Sequence, residues 1–232
     1  MKKSITLSIL LIFCLSAWSQ DTEKRIRIGL ELTPSLSWFK PDYKNVENDA
    51  IKLSNRIGVN LDYNFVHNYF VSTGVFLNWQ KGRLKYSEAN IPFSIDGDIL
   101  YFNAAADSGK TVAIDYAMKY IEIPISLKLK TNEIGYMTYF AKFGLNTAFN
   151  ISAFGNANQL AVEEADFSKE VNFINVGYHI GGGVEYSLSS DFIFTGGLTF
   201  QQGFIDVTTN TDGRTKDKTI MNNVRLNLGV FF

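Results

Sequence analysis

The chain has 232 residues, with 22 Lys and Arg set against 23 Asp and Glu, so a net charge of −1 leaves no broad electrostatic footprint for nucleic acid. Hydrophobic residues make up 46%, yet no long apolar run follows the N-terminal segment. Helical membrane spans are thereby excluded, while a soluble exported domain and a membrane β-barrel both remain open.

The N-terminus reads "MKKSITLSILLIFCLSAWSQ": two lysines, an apolar run from Ile5 to Leu15 broken by Thr6 and Ser8, then small residues. This is the layout of a secretory signal peptide, with Ala17 and Ser19 suited to the cleavage site. We expect residues 1–19 to be removed and 20–232 to form one domain. The apolar run is too short for the roughly 20 residues of a spanning helix. Cys14 follows Leu11, Ile12 and Phe13 rather than small residues, which argues against a lipid anchor. It is also the only cysteine, so the mature chain has no disulfide and no thiolate metal site.

Period-two alternation then dominates the chain, and alternation puts the two sets of side chains on opposite faces of a strand. The first strand sets Ile26, Ile28, Leu30, Leu32, Leu36 and Trp38 against Arg27, Gly29, Glu31, Thr33, Ser35 and Ser37. A second sets Ile57, Val59, Leu61, Tyr63 and Phe65 against Arg56, Gly58, Asn60 and Asp62. A third sets Val71, Thr73, Val75, Leu77 and Trp79 against Ser72, Gly74 and Asn78, with Phe76 an exception on the polar side. The fourth sets Ile121, Ile123, Ile125, Leu127 and Leu129 against Glu122, Pro124, Ser126 and Lys128, and its proline predicts a local bulge. In the fifth, Met137, Tyr139, Phe143 and Leu145 oppose Lys142, Gly144 and Asn146. In the sixth, Ile174, Tyr178, Ile180, Val184 and Tyr186 oppose His179, Gly183 and Glu185. The seventh pits Phe192, Phe194, Leu198 and Phe200 against Thr195, Gly197 and Thr199. The last, "NNVRLNLGVFF", opposes Val224, Leu226, Leu228 and Phe232 to Asn223, Arg225 and Asn227.

The connections alternate in length. Short turns fall near 66–68, 131–135 and 187–191, and long loops near 40–54, 82–116, 152–170 and 206–218. Short periplasmic turns with long external loops are the pattern of an outer-membrane barrel. The expected fold is all-β: an eight-stranded antiparallel up-and-down transmembrane β-barrel in the bacterial outer membrane, with both termini on the periplasmic side. Trp38 and Trp79 stand where strands meet long loops, and Tyr63, Tyr139, Tyr186 and Phe192 stand near short turns. These are the places of the two interfacial aromatic girdles. A soluble sandwich or lipocalin-like barrel would turn the greasy parity inward, and periodicity alone does not separate the two. Leader, girdles, loop alternation and the terminal aromatic together favour the membrane barrel. Phe232 then fits the C-terminal signal read by the barrel-insertion machinery, as well as an interface aromatic.

An eight-stranded barrel is just wide enough for side chains to fill it. The inward parity carries Arg27, Arg56, Lys128, Lys142 and Arg225 against Glu31, Asp62, Glu122 and Glu185, with His179 among them. Such charges are expected to pair into a packed polar plug. His67, in a short turn, and His179 are the only histidines of the mature chain, and neither stands beside an obvious exposed serine and carboxylate. No catalytic, metal or cofactor site is read. The acidic run "VEEADF" (162–167) is expected to be a solvated loop rather than a cation site. Within the second long loop, "IPFSIDGDILYF" (91–102) predicts a hairpin about Asp96-Gly97, with 111–116 extending the fourth strand upward.

"YIEIPISLKLKT" (120–131) resembles the Y-[IL]-E-[IL]-P-[IL] strand of the PorT-like outer-membrane β-barrel family of Bacteroidota. "STGVFLNWQKGRLKY" (72–86) and "YHIGGGVEY" (178–186) are similar to other strands of that family. The resemblance spans nearly the whole mature chain and implies chiefly a fold and a location; it also raises an accessory role in a secretion or gliding machine. The readings carried forward are a non-enzymatic barrel acting in envelope structure or interaction through its external loops, that accessory subunit, a narrow small-solute channel, and a lipid-modifying enzyme. Expected partners are outer-membrane lipid, the insertion machinery and a protein at the external loops.

Overall fold

The computed structural model describes residues 25–42, 45–87, 91–95, 98–102, 111–157, 162–189, 192–209 and 218–232. The leader expected over 1–19 lies outside them. The strands, in chain order, are β1 (Ile26–Pro41), β2 (Val46–Ala50), β3 (Lys52–Val66), β4 (Tyr69–Tyr86), β5 (Ile91–Ile95), β6 (Asp98–Phe102), β7 (Val112–Lys130), β8 (Met137–Ala157), β9 (Val162–Asp166), β10 (Ile174–Ser187), β11 (Ile193–Gly203) and β12 (Thr219–Phe231).

Eight of these make the wall. β1, β3, β4, β7, β8, β10, β11 and β12 pair antiparallel in that order, and β12 returns to β1 with Leu30 opposite Val230 and Leu36 opposite Val224. Each of the eight alternating segments read from the sequence is one of these strands. Following opposed residues around the wall leads from Ile26 through Tyr63, Val71, Leu127, Phe143, Ile180, Phe200 and Val224 to Leu36, ten residues further along β1. A stagger of this size over eight strands tilts them by about 40° to the barrel axis.

The wall extends well past the bilayer. A tilted membrane strand needs roughly 9–11 residues, whereas β4, β7 and β8 run for 18, 19 and 21 residues. Much of the span expected as loop is therefore strand: β4 continues to Tyr86 and β8 reaches Ala157, while β7 begins at Val112, in line with the expected upward extension of the fourth strand over 111–116. β2 pairs with the top of β4, and β9 with the top of β8. The acidic run is accordingly no simple solvated loop, since residues 162–166 form β9 and Phe167 is buried. β5 and β6 pair as the expected hairpin, Ile95 opposite Asp98.

Parity is kept along these strands, but its chemistry inverts. From Tyr69 to Trp79, β4 turns Val71, Val75 and Leu77 outward and buries Ser72 and Asn78. Beyond Trp79 the outward residues are Lys81, Arg83 and Lys85, and the inward ones are Leu84 and Tyr86. β7 mirrors this, with Ile123 and Ile125 outward below and Asp115 and Lys119 outward above. An apolar exterior suits lipid and a charged one suits water, so the inversion marks the outer membrane boundary at the level of Trp79. Trp38 on β1 is half-buried like Trp79, whereas Tyr63, Tyr139, Tyr186, Phe192 and Phe232 lie exposed toward the short-turn end.

Pro124 introduces no bulge. The β7–β8 register is unbroken from Ile121 to Lys130, and the β4–β7 register is the same at Thr73/Ile125 and Phe76/Glu122, the pairing lapsing only between them. Proline removes one ladder donor without forcing an extra residue into the strand, and Thr73 Oγ1 donates to the Pro124 carbonyl at 2.8 Å. The register shift in β7–β8 occurs instead at Lys119/Tyr120, close to the membrane boundary.

Candidate functional site

The inward side chains fill the lumen in three tiers. Toward the short-turn end, Lys128 Nζ donates to Asp62 at 2.7 Å and to Glu185 at 2.5 Å, while Lys130 Nζ donates to the other Glu185 oxygen at 2.6 Å. Arg27 stands 3.8 Å from Glu185 and is the most exposed of the group. Ser72 Oγ donates to Asp62. Four inward phenylalanines pack against cations of the lumen. Lys128 lies 4.7 and 4.9 Å from the ring centres of Phe140 and Phe231, Lys130 lies 4.1 Å from that of Phe70, and Arg56 lies 3.9 Å from that of Phe76.

Glu122 is the centre of the middle tier. It accepts from Arg225 Nη1 and Nη2, both at 2.8 Å, from Arg56 Nη1 at 2.6 Å and from Asn78 Nδ2 at 2.7 Å. Arg56 also donates to Glu31 at 2.6 Å, and Glu31 accepts from Thr33 and Asn60. Residues from β3, β4 and β12 thus converge on one fully buried carboxylate of β7, and Arg56 links it to Glu31 of β1. A buried charge with this many charge-assisted donors is compensated, which a lone one is not.

Lys142 departs from the expected pairing: among the described residues no carboxylate forms an ion pair with it. It lines a cavity of about 20 Å³ together with Asn146, His179 and Arg225. That is room for water rather than for a solute path. His179 Nε2 lies 2.7 Å from Ser126 Oγ, a nucleophile-and-base pair in outline. Its Nδ1 meets no orienting carboxylate, and both residues are buried inside the wall. His67 lies at the short-turn end, 3.3 Å from Asn132. No three metal-binding side chains converge among the described residues.

The third tier is an apolar cap at the long-loop end. Phe39, Leu84, Tyr86, Val112, Ile114, Tyr116, Met118, Tyr120, Phe167, Val171, Val207 and Met221 form one buried cluster. Tyr116 receives Phe39 and Phe167 edge-on at 5.7 and 5.8 Å, and its hydroxyl lies 3.0 Å from that of Tyr86. Two glycines make room for this packing. A Cβ at Gly82 would fall 2.2 Å from the Phe39 ring, and one at Gly155 2.5 Å from that of Phe167.

Lys130 joins the inward charges of the plug although the fourth strand expected from the sequence ends at Leu129. Lys130 shares the parity of Lys128, and that signal was sufficient. The cap was not legible, because its inward residues are apolar where the lower parts of the same strands turn polar residues inward, and many of them lie in segments that read as loops.

No curated protein sequence matches the chain. Among solved structures it is similar to Neisserial surface protein A, at 9% identity and a TM-score of 0.48 over 91% of this chain and 98% of that one. It is similar also to OprG from Pseudomonas aeruginosa, at 11% identity and a TM-score of 0.47 over 90% and 97%. A third is Ail of Yersinia pestis, at 13% identity and a TM-score of 0.37 over 89% and 98%. The family model described as "Outer membrane protein beta-barrel domain" matches residues 18–209, which take in the wall from β1 through β11. The chain belongs to this outer membrane β-barrel family, and its location is the outer membrane.

Proposed function

We propose that the protein is a non-enzymatic, non-conducting barrel that anchors an external β-structure, through which it acts in envelope structure or interaction. One observation carries this reading: the lumen is closed twice, by the ion-paired tiers and by the apolar cap above them. A small-solute channel would need a continuous wet path, and the apolar cap opposes one. A lipid-modifying enzyme would need its base within reach of substrate, and His179 is walled in. The built part of the molecule that remains is the projecting top of β4, β7 and β8 with β2, β9 and the β5–β6 hairpin. The test is to replace residues 88–110 with a short linker and compare cells carrying the variant and the wild type. The reading predicts a folded, heat-modifiable barrel that has lost its interaction or envelope phenotype; an unchanged phenotype contradicts it.

A second reading, an accessory subunit of a PorT-like secretion or gliding machine, is favoured by the Y-x-E-x-P segment. In this barrel, however, Tyr120 belongs to the cap and Glu122 to the plug, so the motif has a packing role that any machine role would add to. Gentle extraction followed by light scattering separates the two: a near-monomer mass supports the first reading and a large defined assembly the second.

A further inference from the structure

The middle tier of the lumen holds one more cation than its carboxylates compensate. Its charges are Arg56, Arg225 and Lys142 against Glu122 and Glu31. Both guanidinium groups are taken up by the two carboxylates, and Lys142 is left over. Its neighbours across the strands supply no counter-charge, since it stands opposite Lys128 on β7 and opposite Gly181 on β10. The Lys128 ammonium is already shared by Asp62 and Glu185, and like charges directly opposed on one face of a sheet repel. Glu31 lines the same cavity as Lys142, but it is held by Arg56, Thr33 and Asn60 and makes no ion pair with the lysine.

The lining of that cavity is rich in donors. Asn146 and Arg56 are only 2% and 5% exposed, and Asn146 Nδ2 and Arg56 Nε have no hydrogen-bond partner. His179 Nδ1, also without a partner, carries a proton when Nε2 accepts from Ser126. Asn227 Oδ1 is the one acceptor of the lining in the same condition. Unpartnered donors therefore outnumber acceptors around a full positive charge, and burying an ammonium without counter-charge is costly. A cavity of about 20 Å³ takes one particle the size of a water molecule and no polyatomic solute. We propose that Lys142, with Asn146 Nδ2 and Arg56 Nε, binds one small monovalent anion, a halide such as chloride, inside the lumen. The bound ion completes the charge balance of the middle tier.

In the experiment the full mature chain is refolded from urea into detergent in sodium chloride, sodium bromide or sodium isethionate at equal ionic strength. Refolding gives the ion access whether or not the folded lumen admits it, and isethionate is monovalent but too large for the cavity. The midpoint of heat-modifiable migration should be higher in either halide than in isethionate. Above the dissociation constant, each tenfold rise in halide should multiply the folding constant about tenfold. K142M should bind halide roughly 10- to 100-fold more weakly, as loss of a charged hydrogen bond implies. Over the same range its midpoint should hardly differ between salts, and in isethionate it should be no lower than that of wild type. K85Q, which removes an exposed lysine above the membrane boundary, should respond to halide as wild type does. Crystals of wild type refolded and grown in bromide should show one anomalous peak in contact with Lys142 Nζ. Equal midpoints of wild type in halide and isethionate overturn the proposal, and so does a halide response that K142M retains in full. A bromide map of wild type with no peak in the lumen overturns it too, and decides the matter even where K142M does not fold.

Discussion

At the scale of single residues, Glu122 and Lys142 show what burial of charge demands. Glu122 compensates two guanidinium groups at once, so E122A leaves Arg56 and Arg225 facing each other without their shared acceptor. The expected cost is about 3–5 kcal/mol, the range for breaking a buried pair, read as a fall in the midpoint of heat-modifiable migration. Lys142 is the converse case: K142M removes a cation without a paired carboxylate and should fold at least as stably as wild type in the same assay. Both residues were legible in the sequence as inward charges, but their unequal fates were not. Alternation gives the face of a side chain, whereas pairing depends on which strands lie side by side and at what stagger, information that no single strand contains.

At the scale of the element, β7 holds most of the account. Its inward row passes from Lys130, Lys128 and Glu122 in the plug to Tyr120, Met118, Tyr116 and Ile114 in the cap, and its outward row passes from isoleucines to Lys119 and Asp115. One strand therefore records the membrane boundary twice, in opposite senses. The lower half was legible because an apolar-outward alternation is what a barrel strand looks like. The extension of the strand over 111–116 was legible too, but not that its polarity inverts there, with apolar residues turned inward. The proline warning failed for a related reason: the cost of a missing donor is local, and the unbroken pairing on either side keeps the register. Gly82 tests the cap. G82V drives a branched side chain into the Phe39 ring and should cost about 1–3 kcal/mol, as overpacking does.

Asp115, above the boundary, adds a pH signature. Burial alone would raise its carboxyl, but hydrogen bonds from Arg83 and Lys52 outweigh this and hold it below its ordinary 3.8. A depressed folded value means that the stabilisation is present above the ordinary value and lost as pH falls through the folded one. The difference in stability between wild type and D115N should therefore be constant near neutrality and begin to close only below about pH 3.8.

At the scale of the whole molecule, the closed circuit of eight strands, the ion-paired lumen and the apolar cap are the observations on which the proposed anchoring, non-conducting role rests. The circuit itself was predictable from the number of alternating segments and the rhythm of their turns. That an apolar cluster packs inside its long-loop end was not, since the cluster depends on Phe39, Tyr116, Phe167 and Val207 meeting from four parts of the chain. The most direct measurement is ionic current through the purified full-length barrel in a planar lipid bilayer, with folding verified on the same preparation. A lumen closed by paired charges and an apolar cap predicts a silent membrane under applied voltage. Reproducible stepwise conductance from the folded wild-type protein would contradict it.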